Sequence, residues 1–122
     1  MTALRPLARL LIVLALVASV AAAQKQKKSP IVGTWDVKVG SSVYRIAFDE
    51  DQGDVSGTVT LPSGESIDVE YGLIIGDELE FSTVEGGTEY EWTAKAGRNS
   101  FQGTRLNLDD DSEVRFSAKR AR

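Results

Sequence analysis

Apolar and polar residues alternate along this chain from Gly33 onward, in short runs that turn residues separate. Alternation with a period of two is typical of β-strands that bury one face. We count eight such runs, and after residue 30 no segment has the period of a helix. The apolar-face positions in chain order are Gly33, Trp35, Val37, Val39, Tyr44, Ile46, Phe48, Val55, Gly57, Val59, Leu61, Ile67, Val69, Tyr71, Leu73, Ile75, Leu79, Phe81, Thr83, Tyr90, Trp92, Ala94, Phe101, Gly103, Val114, Phe116 and Ala118.

The predicted fold is an all-β, eight-stranded antiparallel up-and-down barrel. The two Trp, three Tyr and four Phe residues all lie at apolar-face positions, which indicates that one face of the sheet is a core. Closing the sheet into a barrel buries that face and removes the exposed edges. A two-layer β-sandwich is the alternative that the same pattern allows.

The chain also resembles itself at an offset of 46 residues, with residues 44–58 aligned on residues 90–104. A repeat of this length indicates two copies of one supersecondary unit, here a 4+4 arrangement of strands. The copies then diverge, because Val59 in the first corresponds to Arg105 in the second.

The glycine pair at residues 86–87 predicts a two-residue hairpin turn between the fifth and sixth predicted strands. In that register Phe81 faces Trp92 inside the barrel, and Glu78 faces Lys95 outside. The outward carboxylates of predicted strands four to six form what we call the acidic wall. Its members are Asp68, Glu70, Glu78, Glu80, Glu89 and Glu91.

The first 23 residues have the order of a secretory signal peptide. Arg5 and Arg9 precede an unbroken apolar run over residues 10–18, and cleavage is predicted after Ala23. An uncleaved membrane anchor is the alternative, but the run is shorter than the roughly 20 apolar residues that cross a bilayer. We therefore expect a protein secreted to the periplasm or the extracellular space. The predicted organisation is a signal peptide at residues 1–23, a basic tail at residues 24–30 and a single barrel domain at residues 31–122.

Charge is distributed unevenly along the chain. Residues 31–116 contain all 18 acidic residues and six basic ones, which gives this body a formal charge of −12. Such a body argues against nucleic acid as a partner, because phosphate binding needs clustered Lys and Arg. The basic residues near the termini, which we call the basic pole, are interpreted as solvated tails or, alternatively, as a contact with anionic lipid or an acidic polymer. They are Lys25, Lys27, Lys28, Lys119, Arg120 and Arg122.

Catalytic chemistry finds little support in the composition. The chain has no histidine and no cysteine, which removes nucleophilic triads, imidazole bases and the usual zinc sites. The strand carboxylates are predicted to point outward, where neither a raised pKa nor an enclosed substrate is easily arranged. We therefore expect no enzyme activity and no cofactor. The acidic stretches at residues 49–54 and 109–111 are interpreted as turns, with calcium binding as the alternative.

The barrel interior is the better place for a binding site, because eight strands enclose either packed side chains or one small ligand. Strand parity directs Arg105 and Asn107 inward, and an inward arginine near tyrosines is a natural anchor for a carboxylate. The predicted ligand-binding residues are Arg105, Asn107, Tyr44, Tyr71 and Tyr90. A bulge that turns Leu106 and Leu108 inward and Arg105 outward remains the alternative.

Gly33-Thr34-Trp35, at the start of the first predicted strand, resembles the Gly-x-Trp signature of the lipocalins and lipocalin-like barrels. This resemblance implies a carrier of small lipophilic ligands. In that family the Trp packs at the closed end of the barrel under an arginine from a late strand, a role that the resemblance implies for Arg115 or Arg120.

Other stretches are similar to small all-β domains of secreted bacterial proteins, some of which are attached to amidohydrolase-type enzymes. The stretches are residues 53–58, residues 76–81 and Phe116-x-Ala118-x-Arg120. The first functional hypothesis is a secreted, non-catalytic binding module for a small amphipathic or lipophilic ligand. The alternative is a structural or protein-interaction domain with a filled core that acts through its acidic wall or basic pole. An interior cavity above about 300 Å³ would favour the ligand.

Overall fold

The structure is a computed structural model that describes residues 29–122. Nine β-strands form this part of the chain, and no helix within it is long and apolar enough to cross a membrane. The predicted signal peptide and Lys25, Lys27 and Lys28 lie outside the described residues. The strands are β1 (Gly33–Val39), β2 (Ser42–Asp51), β3 (Asp54–Thr60), β4 (Ser66–Asp68), β5 (Tyr71–Ile75), β6 (Glu78–Glu85), β7 (Thr88–Lys95), β8 (Ser100–Asn107) and β9 (Glu113–Arg120).

These strands form one closed antiparallel barrel. β1 pairs with β2 on one side and with β9 on the other, and β8, β7, β6 and β5 follow β9 in order. β3 closes the circle, because it pairs with β2 along one edge and with β4 and β5 along the other. The short strands β4 and β5 share one position, so the barrel has eight positions. The predicted barrel is confirmed, and the sandwich is not formed.

The fourth predicted strand contains a bulge halfway along, and beyond it the side chains predicted to face the core face outward. Asp68 pairs with Thr58 and Leu73 pairs with Asp54, so five steps along this strand match four steps along β3. One extra residue shifts the alternation by one, which exchanges the inner and outer faces. The predicted inward orientation of Tyr71, Leu73 and Ile75 is therefore wrong. Tyr71 is 53% exposed and Ile75 is 69% exposed, and the buried side chain in this strand is Ile74.

The interior is a continuous apolar core. Phe81 stacks on Trp92 with 5.2 Å between ring centroids, and Phe116 packs edge-on against the same indole at 5.2 Å. Among the described residues, Ile31 and Ile74 are the only buried apolar side chains outside the predicted core set. Sequence parity therefore identifies the core well wherever a strand runs without a bulge.

Gly57 and Gly103, which lie 46 residues apart, let neighbouring strands approach closely. A Cβ atom at Gly57 would collide with the carbonyl oxygen of Ala47, and one at Gly103 would collide with that of Thr93. Any larger residue at either position would have to push the adjacent strand away.

The β6–β7 hairpin has the predicted register. Gly86 and Gly87 form its turn with φ angles of 57° and 85°, which only glycine adopts freely. Phe81 pairs with Trp92 and Glu78 pairs with Lys95, as the alternation predicts.

Candidate functional site

Arg120, near the end of β9, closes one end of the barrel. Its guanidinium carbon lies 4.1 Å from the centre of the Trp35 ring, which is fully buried. Nε donates to the carbonyl of Arg98 at 2.9 Å, Nη1 donates to the carbonyl of Val32 at 2.6 Å, and Nη2 donates to the carbonyl of Pro30. All three guanidinium nitrogens thus bind backbone, and they tie the segment before β1 to β9.

The Gly-x-Trp motif has a direct structural reason at this end. A Cβ atom at Gly33 would collide with Nη1 of Arg120, so the glycine leaves room for the guanidinium over the indole. Trp35 Nε1 donates to the carbonyl of Ile31 at 2.8 Å, and the Ile31 side chain is fully buried. Of the two arginines considered from the sequence, Arg120 takes this position, whereas Arg115 is exposed.

A second arginine, Arg105 on β8, occupies the opposite end of the barrel, which we call the mouth. Its guanidinium carbon lies 4.2 Å from the centre of the Tyr90 ring, and Nη1 donates to Tyr44 Oη at 2.9 Å. The side chain is only 15% exposed. Arg105 therefore points inward, and the alternative bulge in β8 is not formed.

The charge of Arg105 is compensated within the mouth. Nη1 lies 3.4 Å from Glu85 Oε2, and the same carboxylate accepts a hydrogen bond from Tyr44 Oη at 3.2 Å through Oε1. Burial raises the pKa of Tyr44, and this increase is larger than the decrease caused by the nearby Arg105 charge. The phenol is therefore neutral at physiological pH and serves both as acceptor from Arg105 and as donor to Glu85.

A small pocket of about 60 Å³ lies beside the Arg105 guanidinium. Asn107 lines it but is also part of a turn, because its Oδ1 accepts the backbone N–H of Asp109 at 2.8 Å. The remaining lining residues are Tyr90, Ser112 and Val114.

The structure brings together four of the five predicted ligand-binding residues. Tyr44, Tyr90, Arg105 and Asn107 all lie at the mouth, whereas Tyr71 lies on the outer surface because of the bulge in the fourth strand position.

Glu85 is the mouth residue that the sequence interpretation missed. It follows Phe81 and Thr83 at a spacing of two, and both of these side chains are buried. The same alternation that predicts an inward Arg105 thus also predicts an inward Glu85.

The acidic turns are organised by hydrogen bonds within the chain. Glu50 Oε2 accepts the backbone N–H of Gly53 at 2.8 Å, and Glu50 Oε1 accepts that of Ser29 at 3.2 Å. In residues 29–122 we find no group of three or more carboxylates arranged to hold a metal ion.

A closed antiparallel barrel with the Gly-x-Trp and arginine arrangement at one end is a lipocalin-like small β-barrel. Two solved structures of the fluorescent protein UnaG share the fold. The wild-type protein superposes with a TM-score of 0.51 at 11% sequence identity, over 74% of this chain and 96% of that chain. A single-site mutant gives a TM-score of 0.52 at 12% identity, over 76% and 97%. No family model matches the chain, and no curated protein matches it in sequence.

Proposed function

We propose that the chain is a secreted, non-catalytic binding module that takes the polar head group of a small amphipathic ligand at the mouth of its barrel. The observation that carries this proposal is the position of Arg105. The guanidinium lies over the Tyr90 ring and donates from Nη1 to Tyr44 Oη, and these two contacts hold it inward. Because both of its hydrogen bonds to the described residues use Nη1, three N–H groups on Nε and Nη2 remain for a ligand.

The size of the pocket limits which part of a ligand enters. The pocket is well below the interior cavity of about 300 Å³ that would favour an enclosed ligand, and its volume of about 60 Å³ accommodates only one polar group such as a carboxylate. The rest of the ligand would lie across the rim. Val84, Leu108 and Val114 offer an apolar surface there, since each is between 39% and 40% exposed at the mouth end of its strand or in the adjoining turn. A lipophilic chain with an anionic head matches this arrangement.

Two features of the sequence support the remaining parts of the proposal. Residues 1–23 have the order of a cleaved signal peptide, which favours secretion. The absence of histidine and cysteine favours binding over catalysis.

Titration with the fluorescent fatty acid 11-(dansylamino)undecanoic acid tests the proposal. We expect the dansyl emission to rise and shift to shorter wavelength with the wild-type protein, because the probe leaves water. Arg105→Met should weaken binding by roughly tenfold or more, since it removes the charged donors. Arg115→Met, an exposed arginine on β9, is the matched control and should bind as the wild type does. Equal affinity of the Arg105→Met variant would overturn the proposal.

A second variant at the mouth tests the charge of the ligand. Glu85 competes with a bound carboxylate for Arg105, so Glu85→Gln should strengthen binding of the fatty-acid probe. The corresponding dansyl-labelled primary alcohol carries no charge, and its affinity should hardly change. Native mass spectrometry of protein from its own host provides the search for a natural ligand.

The packed core favours a second candidate function, an interaction domain that acts through its outer surface. The aromatic side chains Trp35, Phe81 and Trp92 fill the barrel and are at most 1% exposed. A protein of this kind would use its charged faces, which are distinct from the mouth.

A further inference from the structure

The outer surface of β1, β2 and β9 carries a basic groove of about 450 Å³. Five of its lining residues are cationic and one, Asp36, is anionic. Asp36 forms an ion pair with Arg45 at 3.1 Å, and the guanidinium of Arg120 is bound to backbone carbonyls, so Lys38, Lys119 and Arg122 are the cations that the groove offers to a partner. Val43, 49% exposed, gives it an apolar contact point. The basic lining residues are Lys38, Arg45, Lys119, Arg120 and Arg122.

The outer surface of β5 carries an apolar stripe, which we define as Tyr71, Leu73 and Ile75. The bulge in the fourth strand position turns these side chains outward, and two members of the acidic wall, Glu78 and Glu80, lie on the neighbouring strand β6. A shallow groove of about 460 Å³ runs over this region; its lining includes Leu73, Ile75, Glu78 and Glu80, and also Lys95, which pairs with Glu78. Exposed apolar side chains of this size beside aligned charges are typical of a protein contact surface.

The two surfaces lie on opposite sides of the barrel. β6 is the fourth strand position from β1 in either direction around the circle. A molecule therefore cannot bring its own acidic wall to its own basic groove, whereas a second copy can. Contact between unlike surfaces is head-to-tail, and each added copy leaves one surface of each kind open.

We infer that the protein associates head-to-tail with itself, with the apolar stripe and acidic wall of one copy docked on the basic groove of the next. Opposite formal charge and an exposed apolar residue on each side, Ile75 and Val43, provide the complementarity. This inference rests on the second candidate function above and makes no use of the mouth.

The state of the acidic wall supports this assignment. The pKa of Glu91 is raised, chiefly by hydrogen bonding with the Glu80 side chain, and then by burial and by the charges of Glu80 and Glu89. Like charges are thus crowded on this surface, and a cationic partner would relieve the crowding.

Sedimentation velocity of the purified full chain tests the inference. At about 0.02 M salt the weight-average mass should rise with protein concentration, and at about 0.5 M salt, where the Debye length is only about 4 Å, the protein should be monomeric. Lys119→Glu should weaken association at least about tenfold. Arg115→Glu makes the same charge change four residues away on the outer face of β9, outside the groove, and should associate as the wild type does.

Mixing two variants distinguishes the head-to-tail contact from any other. Lys38→Gln/Lys119→Gln removes the lysines of the basic groove, and Glu78→Gln/Glu80→Gln removes the carboxylates of the acidic wall beside the stripe. Each variant should be a monomer alone, because one surface of every contact has lost its charge. Mixed in equal amounts, they should form a one-to-one dimer that does not grow, since only one matched pair of surfaces remains. Melting temperatures close to that of the wild type verify that both variants fold.

Three outcomes would overturn the inference. These are a monomeric wild-type protein at low salt and millimolar concentration, a mixture that stays monomeric, and binding of the basic groove to phosphatidylglycerol vesicles without self-association. Arg105→Met alters the mouth alone, so it should associate normally. A failure of the fatty-acid titration and a failure of this inference are therefore separate results.

Discussion

Replacement of Arg120 by methionine should clearly destabilise the closed end of the barrel. The hydrogen bond to the half-buried Val32 carbonyl has a charged donor and is worth about 1.5–3 kcal/mol. The contact with the buried Trp35 ring adds about 1–2 kcal/mol. The Arg98 and Pro30 carbonyls are exposed and can bind water instead, so their loss costs little. We expect the free energy of unfolding to fall by about 2.5–5 kcal/mol.

Urea unfolding followed by tryptophan fluorescence measures this change. Methionine retains most of the hydrocarbon contact with the Trp35 ring, so the loss reports on the guanidinium rather than on a cavity. Arg120→Lys should recover part of the stability, because it keeps the charge but has no planar donor set. Arg115→Met on the same strand should change stability by less than about 0.5 kcal/mol. The reasoning is wrong if Arg120→Met falls within that range, or if Arg115→Met costs as much.

Two further predictions concern buried polar groups. Trp92 Nε1 donates to Thr83 Oγ1 at 3.0 Å, and both residues are fully buried. Thr83→Val is nearly isosteric but removes the acceptor, so it should lower the free energy of unfolding in urea by about 1–3 kcal/mol. Thr83→Ser keeps the acceptor and should cost less. Because burial raises the pKa of Tyr44, the folded state holds the phenol proton more tightly than the unfolded state does. The contribution of Tyr44 to stability should therefore be intact below about pH 10 and be lost as the pH rises further. Melting temperatures measured against pH should fall less steeply above about pH 10 for Tyr44→Phe than for the wild type. An equally steep fall would contradict a raised pKa for Tyr44.

Sequence alternation predicted most of the barrel because alternation and burial have the same physical origin in a sheet with one dry face. It failed in the fourth strand position, where a single extra residue between Asp68 and Leu73 reverses the faces. Tyr71 and Ile75 are as apolar as the neighbouring core residues, so their composition gives no sign of the bulge. Only the pairing with β3, a non-local property, determines it.

The mouth was predicted in part because it also depends on parity. Arg105 breaks the apolar pattern, and this break indicated an inward cation. Glu85 was missed because it stands beside the turn glycines, where a charged residue has an ordinary explanation as a strand end. The distance between Tyr44 on β2 and Glu85 on β6 is closed only by curvature of the whole barrel, which the sequence does not reveal.

The arginines at the two ends of the barrel differ in how many of their hydrogen-bond donors are bound by the protein itself. The guanidinium carbons lie almost equally close to their aromatic rings, at 4.1 Å for Arg120 and 4.2 Å for Arg105. Among the described residues, Arg120 donates from all three nitrogens to backbone carbonyls, whereas Arg105 donates from Nη1 alone. An arginine whose donors are all taken by the chain stabilises the chain, and one with free donors is suited to hold something else. Removal of Arg120 should therefore act mainly on unfolding, and removal of Arg105 mainly on binding.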